Sequence, residues 1–437
     1  MWRALTGCAQ GAGTYVLKFL QWAGTRADLF PEYFVRGARN LQMHVPPEPL
    51  PYTLLTLEKV LNSSAEIDVS GAILFDTNQG RLVLEPVPVG SGCVAQVHKG
   101  RLYNLDGTSK SVALKVHRYE IAENMQSDIR GLQLMSNAAS RMLGNWGTYL
   151  CVKEATDQFA VSMLQQLDLS REKRQTEILS GLFKSVRSRW NFWVLKGGVQ
   201  FPDVIDFSPS KEVLFEEYLD GMSLVDFLDN STPVKFRNCW RPRKQTVRIQ
   251  VARLLLRTFL QMVFEDNFVH ADLHPGNLKI KVRERRWWER VPRVTVQILD
   301  ASSVVRLDAR DRQNLLDLLQ CVVSGNGAEA GRLIIERSSR PIPKNEEFCA
   351  EIAEIVTLYY RLRSGLTLDD VRINDVITRL LKAACQHKVE LDPHFVQLCL
   401  ATMVFEGTVR QLYPDMDLLT EAVPFILKAQ LRAKRGW

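Results

Sequence analysis

The stretch His270-Ala271-Asp272-Leu273-His274-Pro275-Gly276-Asn277-Leu278 sets an aspartate and an asparagine at D-x-x-x-x-N spacing. That spacing suits phosphoryl transfer. The aspartate receives or orients the proton of an attacking hydroxyl, and the asparagine oxygen holds Mg2+. Taken alone, the same residues also describe a polar turn punctuated by Pro-Gly. Three further stretches supply what the reaction lacks. Val89-Gly90-Ser91-Gly92-Cys93-Val94-Ala95, with Val97 beyond, offers glycines that let backbone N–H groups approach the phosphates of ATP. Val112-Ala113-Leu114-Lys115 offers a strand lysine for the α- and β-phosphates. Val294 to Ile298 leads into Asp300, a second metal-binding oxygen donor. Each is weak by itself, and a strand lysine can simply snorkel to water. Lys115, Asp272, Asn277 and Asp300 in this order, on these element types, exceed chance.

The elements that must position them can be read along the chain. Apolar spacing through Tyr15, Val16, Phe19, Leu20 and Trp22 predicts a helix-rich entry over 11–45, ended by Pro46-Pro47-Glu48-Pro49, and a second helix covers about 53–62. From Val83 to Val116 the pattern becomes strands with a turn at Asn104-Leu105-Asp106-Gly107. Helices follow over 119–143 and 152–180, and in the second Asp168 and Glu172 lie four apart, so either carboxylate can turn toward Lys115. Phe201 to Glu217 reads as a strand, with Glu217 at the turn where an adenine-receiving hinge would sit. A long helix over about 246–265 then leads into the Asp272 loop. Residues 310–431 read as all helix.

Composition bounds the rest. With 437 residues, 46% hydrophobic and 24% charged, the chain can bury a sizeable core. Eight cysteines scattered without a C-x-x-C argue against a disulfide framework or zinc site. No apolar run is long enough to span a membrane and no cleavable signal is evident. Much of the +7 net charge sits in three runs, Lys184–Lys196, Lys235–Arg248 and Arg283–Arg293, each interleaved with tryptophan. Such runs serve a solvated loop, an anionic membrane face or a nucleic acid; tryptophan favours the membrane, and no nucleic-acid-binding motif accompanies them.

At this point the sequence resembles the UbiB/aarF-domain atypical kinases, which support coenzyme Q (ubiquinone) biosynthesis. His270 to Asn277 is similar to that family's catalytic signature. Lys18-Phe19-Leu20-Gln21 is similar to its K-x-G-Q helix, Gly90 to His98 to its nucleotide loop ending A-Q-V-H, and Gln166-Leu167-Asp168-Leu169 with Glu172 to its E-L-D-F-x-x-E-A stretch. Phe405-Glu406-Gly407 through Asp415 is similar to its last helices. The resemblance implies an α+β, two-lobed, protein-kinase-like fold with extra N-terminal and C-lobe helices. Residues 1–62 would be the family-specific extension, 63–221 the N-lobe and 222–437 the helical C-lobe. It implies that Lys115 holds phosphates and pairs with Glu172, that Asp272 is catalytic, and that Asn277 and Asp300 bind Mg2+. It also implies that Lys18 and Gln21 lie over the active site and exclude a protein substrate.

By the same resemblance the protein is a mitochondrial, inner-membrane-associated ATPase or atypical kinase. Membrane lipid or quinone precursors and coenzyme Q biosynthetic proteins would be its partners, and any targeting segment would lie outside this chain. Three residues depart from the pattern. Leu20 replaces the motif glycine, Gln166 replaces a glutamate, and Asp300-Ala301-Ser302 replaces D-F-G. The last two also suit a catalytically inactive scaffold, a pseudokinase.

Overall fold

The computed structural model describes residues 45–143, 152–190, 197–207, 210–229, 244–283, 293–338, 345–365, 372–416 and 418–434. The expected entry helix with Lys18 and Gln21 lies outside the described residues, as do most of the three basic runs. The chain divides into two compact units. One is drawn from Met1–Ser180 and Pro202–Asp220, the other from Gly181–Phe201 and Gly221–Trp437.

In the first unit, Pro49 leads into helix α1 (Leu50–Leu61), which stops at Asn62 in the left-handed region. Strands β1 (Glu66–Ile67), β2 (Ile73–Thr77), β3 (Gly80–Leu84), β4 (Gly90–Ser91), β5 (Ala95–Asn104) and β6 (Ser109–His117) follow. Then come helices α2 (Ile121–Leu143), α3 (Val152–Gln165) and α4 (Leu169–Trp190), the last of which passes to the second unit from Gly181. Strand β7 (Gly197–Gln200) belongs to the other unit, and β8 (Val213–Glu217) returns to the first. The sheet runs β1-β2-β3-β5-β6-β8, with β4 also on β5, and every pair is antiparallel.

The period of two in β6 explains its placement. Val112, Leu114 and Val116 are fully buried and join Leu57 and Leu61 of α1, Phe75, Leu82 and Phe215 in one core. Lys115 therefore stands on the opposite face.

Two expectations are corrected here. The helix predicted over 152–180 is broken between α3 and α4. Asp168 accepts the Ser170 N–H at 3.0 Å and the Ser170 hydroxyl, opening α4 instead of sharing a helical face with Glu172. The strand predicted over Phe201–Glu217 is regular only in β8. Upstream, Val204 makes an isolated bridge to Glu216, and Pro202 has no N–H to give a ladder.

The second unit continues with β9 (Met222–Ser223), α5 (Leu224–Leu228) and α6 (Lys244–Gln261). A π-turn (Met262–Asp266) extends α6 and ends at Asn267, whose φ is 50°. Then come β10 (Val269–His270), a 3-10 turn (Pro275–Asn277), β11 (Leu278–Arg283), β12 (Arg293–Ile298) and β13 (Val304–Val305). Strands β7, β12, β11 and β9 form one sheet in that order, and β10 pairs with β13. Helices α7 (Ala309–Ser324), α8 (Gly327–Glu336), α9 (Glu346–Gly365), α10 (Ile373–Gln386), α11 (Pro393–Leu412) and α12 (Leu418–Lys434) make up the rest of the described residues.

Candidate active site

Lys115 sits at an interior position of the first unit's sheet, opposite Val97 of β5 and Leu214 of β8. Its ammonium donates to both oxygens of Glu172, at 2.7 and 2.8 Å. The Glu172 side chain is 4% exposed and that of Lys115 17%, so the pair is close to dry. Of the two carboxylates left open by the sequence, Glu172 makes this contact. Asp168 is engaged by Ser170, and that hydrogen bond leads the causes that hold its carboxyl below the usual range.

His117 follows on the same face as Lys115. Burial, seconded by the Lys115 charge, pushes its imidazole from the ordinary 6.5 down to about 4. A neutral ring is the state this position accepts.

The predicted nucleotide loop begins as a short strand against β5. Gly90 and Ser91 pair with Val97 and Gln96, and the Gly92 N–H donates to the Ala95 carbonyl at 2.9 Å. The side chains of Cys93 and Val94 are buried among Met125 and Ile129 of α2 and Phe159 and Met163 of α3. At those two positions the expected contact with a nucleotide is left to the backbone. Ala95 is buried as well.

Arg118, which sequence reasoning missed, fastens the loop. Its Nε donates to the Gly92 carbonyl at 3.0 Å, and its Nη2 to Ser91 Oγ at 3.0 Å and to the Pro46 carbonyl at 2.6 Å. The available signal was a cation immediately past the lysine strand. Glu217 closes β8 opposite Val112, with its N–H given to the Asp203 carbonyl at 2.8 Å.

The A-Q-V-H end of the loop is a buried polar network. Gln96 accepts the Glu48 N–H at 3.1 Å and donates its amide to Thr53 Oγ1 and to His98 Nε2. With Nε2 accepting, the His98 ring carries its proton on Nδ1 and donates to the Glu85 carbonyl at 3.0 Å. Burial lowers the pKa of His98, in keeping with a neutral ring.

The second unit assembles Asp272, Asn277 and Asp300 by register. Strands β11 and β12 pair Leu278 with Ile298, which sets Asn277 across from Leu299, and the Leu299 N–H donates to the Asn277 carbonyl at 3.0 Å. Asp300 is the next residue. The Asn277 amide nitrogen donates to the Asp272 carbonyl at 3.0 Å, which leaves the amide oxygen as the donor the side chain can offer a cation. Asp300 Oδ1 accepts the Ser302 N–H at 2.7 Å, and the Ala271 N–H donates to the Ser303 carbonyl at 2.9 Å.

His270 braces the two segments. Its Nδ1 accepts the Asp272 N–H at 3.1 Å while its Nε2 donates to the Asp300 carbonyl. The ring is 1% exposed, and burial drives its pKa down. His274 Nε2 stands 3.7 Å from the Asp272 carboxylate, and both side chains are partly exposed. From behind, Thr408 of α11 donates to the Leu273 carbonyl at 2.9 Å. Two residues earlier, the fully buried Glu406 accepts the Ile373 and Asn374 N–H groups at the start of α10 and the Arg410 guanidinium.

Among the described residues no cluster of three or more His, Cys, Asp or Glu forms a closed metal cage. One amide oxygen and one carboxylate instead suit Mg2+, which keeps waters and takes substrate phosphates as ligands.

Residues 82–333 match the ABC1 atypical kinase-like domain, and residues 353–417 match the UbiB helical domain. A mitochondrial ABC1 family protein of Schizosaccharomyces pombe is 25% identical over 99% of this chain. A probable serine/threonine-protein kinase, abkC of Dictyostelium discoideum, is 25% identical over 98%. A mitochondrial ABC1 family protein of Saccharomyces cerevisiae is 27% identical over 95%. The chain covers 66%, 65% and 66% of the lengths of these three relatives.

Among solved structures, the Mycobacterium tuberculosis Rv3197–erythromycin complex aligns with a TM-score of 0.48 at 15% identity, over 90% of this chain and 87% of that one. The Chaetomium thermophilum Rio2 kinase–ADP/Mg2+-phosphoaspartate complex aligns with a TM-score of 0.27 at 13% identity, over 85% and 96%. The ABC1 match is to a kinase-like domain, and the mix of helices and sheets is the α+β class expected from the sequence. The ABC1 match alone takes in more than half of the residues, and the chain belongs to the ABC1 atypical kinase-like family, with that family's UbiB helical domain toward its C-terminal end.

Proposed function

We propose that the protein binds Mg-ATP and works as an atypical kinase or ATPase. The observation that carries this reading is the ion pair of Lys115 with both oxygens of Glu172, an almost dry arrangement that fixes an ammonium where phosphate charge would be met. In this reading Lys115 receives phosphate oxygens, and Asn277 and Asp300 hold the metal. Asp272 orients the attacking hydroxyl or water, with His274 beside it and His270 keeping its backbone in place. Bound Mg2+ would neutralise charge that develops on the transferring phosphoryl group.

Lys18 and Gln21 would regulate access, and residues 1–62, 63–221 and 222–437 would act as extension, N-lobe and C-lobe. The mitochondrial relatives support a mitochondrial setting, and the family resemblance supports a role in coenzyme Q or lipid metabolism. None of the described helices is long and apolar enough to cross a membrane. A second reading, a nucleotide-sensing scaffold without turnover, is favoured by Asp300-Ala301-Ser302. Ala301 is 1% exposed, and no aromatic plug follows the aspartate.

The test is thermal unfolding with and without Mg-ATP, on the wild type and on Asp300→Asn. Ligand at 100 times its Kd stabilises by about 2.7 kcal/mol. A Mg2+-dependent rise that the variant loses is the expected result. A folded wild type that ignores Mg-ATP removes the enzyme reading. A rise without hydrolysis favours the scaffold.

A further inference from the structure

The second unit contains a cavity of about 190 Å3 that the Asp272 site does not use. Its walls come from α6 through α12, with Phe259, Leu315, Ala330, Ile352, Phe405 and Ala422 each contributing from a different helix. Most of the wall residues are buried core positions.

The chemistry of the wall is one-sided. Thr402 brings a hydroxyl, and it already donates to the Leu398 carbonyl one turn back at 2.8 Å. Cys399 brings a thiol, a weak hydrogen-bonding group. The remaining wall residues are aliphatic or phenyl side chains. Water needs two to four polar partners, and the wall side chains offer only this hydroxyl and this weak thiol. A dry cavity of about 150 Å3 lined by Leu, Ile and Phe already takes benzene. This one is larger, in an interior where close packing is the rule.

We propose that this cavity is a binding site for a hydrocarbon chain, either the acyl tail or the isoprenoid tail of an amphiphile. The polar end of the ligand would stay outside, because the wall has nothing to pair with it. The inference does not depend on nucleotide binding. The same helix, α11, serves both places. Phe405 stacks on Phe259 at 4.2 Å in the wall, and Thr408, nearly one turn on, donates to Leu273 beside Asp272. An occupant that shifts Phe405 acts on the element that holds the Asp272 loop.

The experiment uses the full chain and cis-parinaric acid, whose fluorescence rises in apolar surroundings, with decanoic acid and farnesol as competitors. Saturable binding to the wild type is expected, weakened at least about tenfold in Ala422→Phe and in Ala330→Leu, which fill the cavity. Displacement by decanoic acid alone assigns an acyl tail, by farnesol alone an isoprenoid tail, and by both a site for either. Absence of binding to folded wild type overturns the proposal, and so does undiminished binding to a folded filling variant. Should both variants fail to fold, a diazirine-bearing decanoic acid photolysed on the wild type decides. Label on the wall residues of α6 to α12 supports the site, and label confined to residues off the wall overturns it.

Discussion

Lys115 and Glu172 are 57 positions apart and meet through their charges, whereas Asp272, Asn277 and Asp300 are aligned through backbone groups. The first arrangement is an ion pair with almost no water around it. The second is a register between two strands, a neutral imidazole brace and a set of N–H to carbonyl or carboxylate bonds. A charge pair of this kind fails when either partner is lost, because the survivor keeps its desolvation cost. A register fails only when strand pairing changes. The two arrangements should therefore respond to substitution on different scales.

The largest effect expected is from Glu172→Ala. Loss of one partner from a buried pair costs about 3–5 kcal/mol. Urea unfolding should show the first unit weakened by that order, with the second unit's transition unmoved. A cost below about 1 kcal/mol would mean the pair is as wet as a surface bridge and would erase the contrast.

Acid should separate the two arrangements next. His117 has its folded-state pKa pushed from 6.5 to about 4, so the unfolded chain binds the proton more readily. The stability that its neutral ring contributes is fully present above pH 6.5 and is lost as pH falls toward 4, up to about 3 kcal/mol. Unfolding of wild type and His117→Gln at pH 7 and pH 5 checks this. The wild type's advantage should shrink by about 2 kcal/mol at the lower pH. An advantage independent of pH would show that His117 contributes packing alone.

The smallest effect belongs to Thr408→Val, which removes one hydrogen bond to the Leu273 carbonyl and keeps the shape. About 1 kcal/mol is expected from the second unit. If the register is what holds Asp272, the Mg-ATP melting shift should survive this change. Its loss would make α11 part of the positioning machinery.

What was legible in the sequence follows the same division. Lys115 could be placed because period-two burial in β6 fixes its face, and Asn277 and Asp300 because each flanks a strand of recognisable composition. Glu172 and Asp168 could not be separated by helical spacing, since the contact depended on Asp168 choosing its own neighbour Ser170. Arg118 was invisible as a site residue, and His270 was legible only as the start of a motif and not as a brace, for a related reason. Their partners are, apart from the Ser91 hydroxyl, backbone carbonyls and amides, and any residue type supplies those. The burial of the Cys93 and Val94 side chains was not legible because a glycine-rich motif says where the backbone turns and nothing about which helices lie under its side chains.

The β11–β12 hairpin has a consequence for how this molecule tolerates change. Asn277 and Asp300 lie at its open end, held by pairs that run from Leu278↔Ile298 to Arg283↔Arg293. Residues added between Arg283 and Arg293 lie beyond the last pair and leave the first one alone, whereas a single insertion inside either strand would turn every following side chain to the wrong face. The connection between those two arginines is thus a natural graft point, where an affinity tag, a reporter or, over evolutionary time, a new recognition loop can be added while Asn277 and Asp300 keep their spacing.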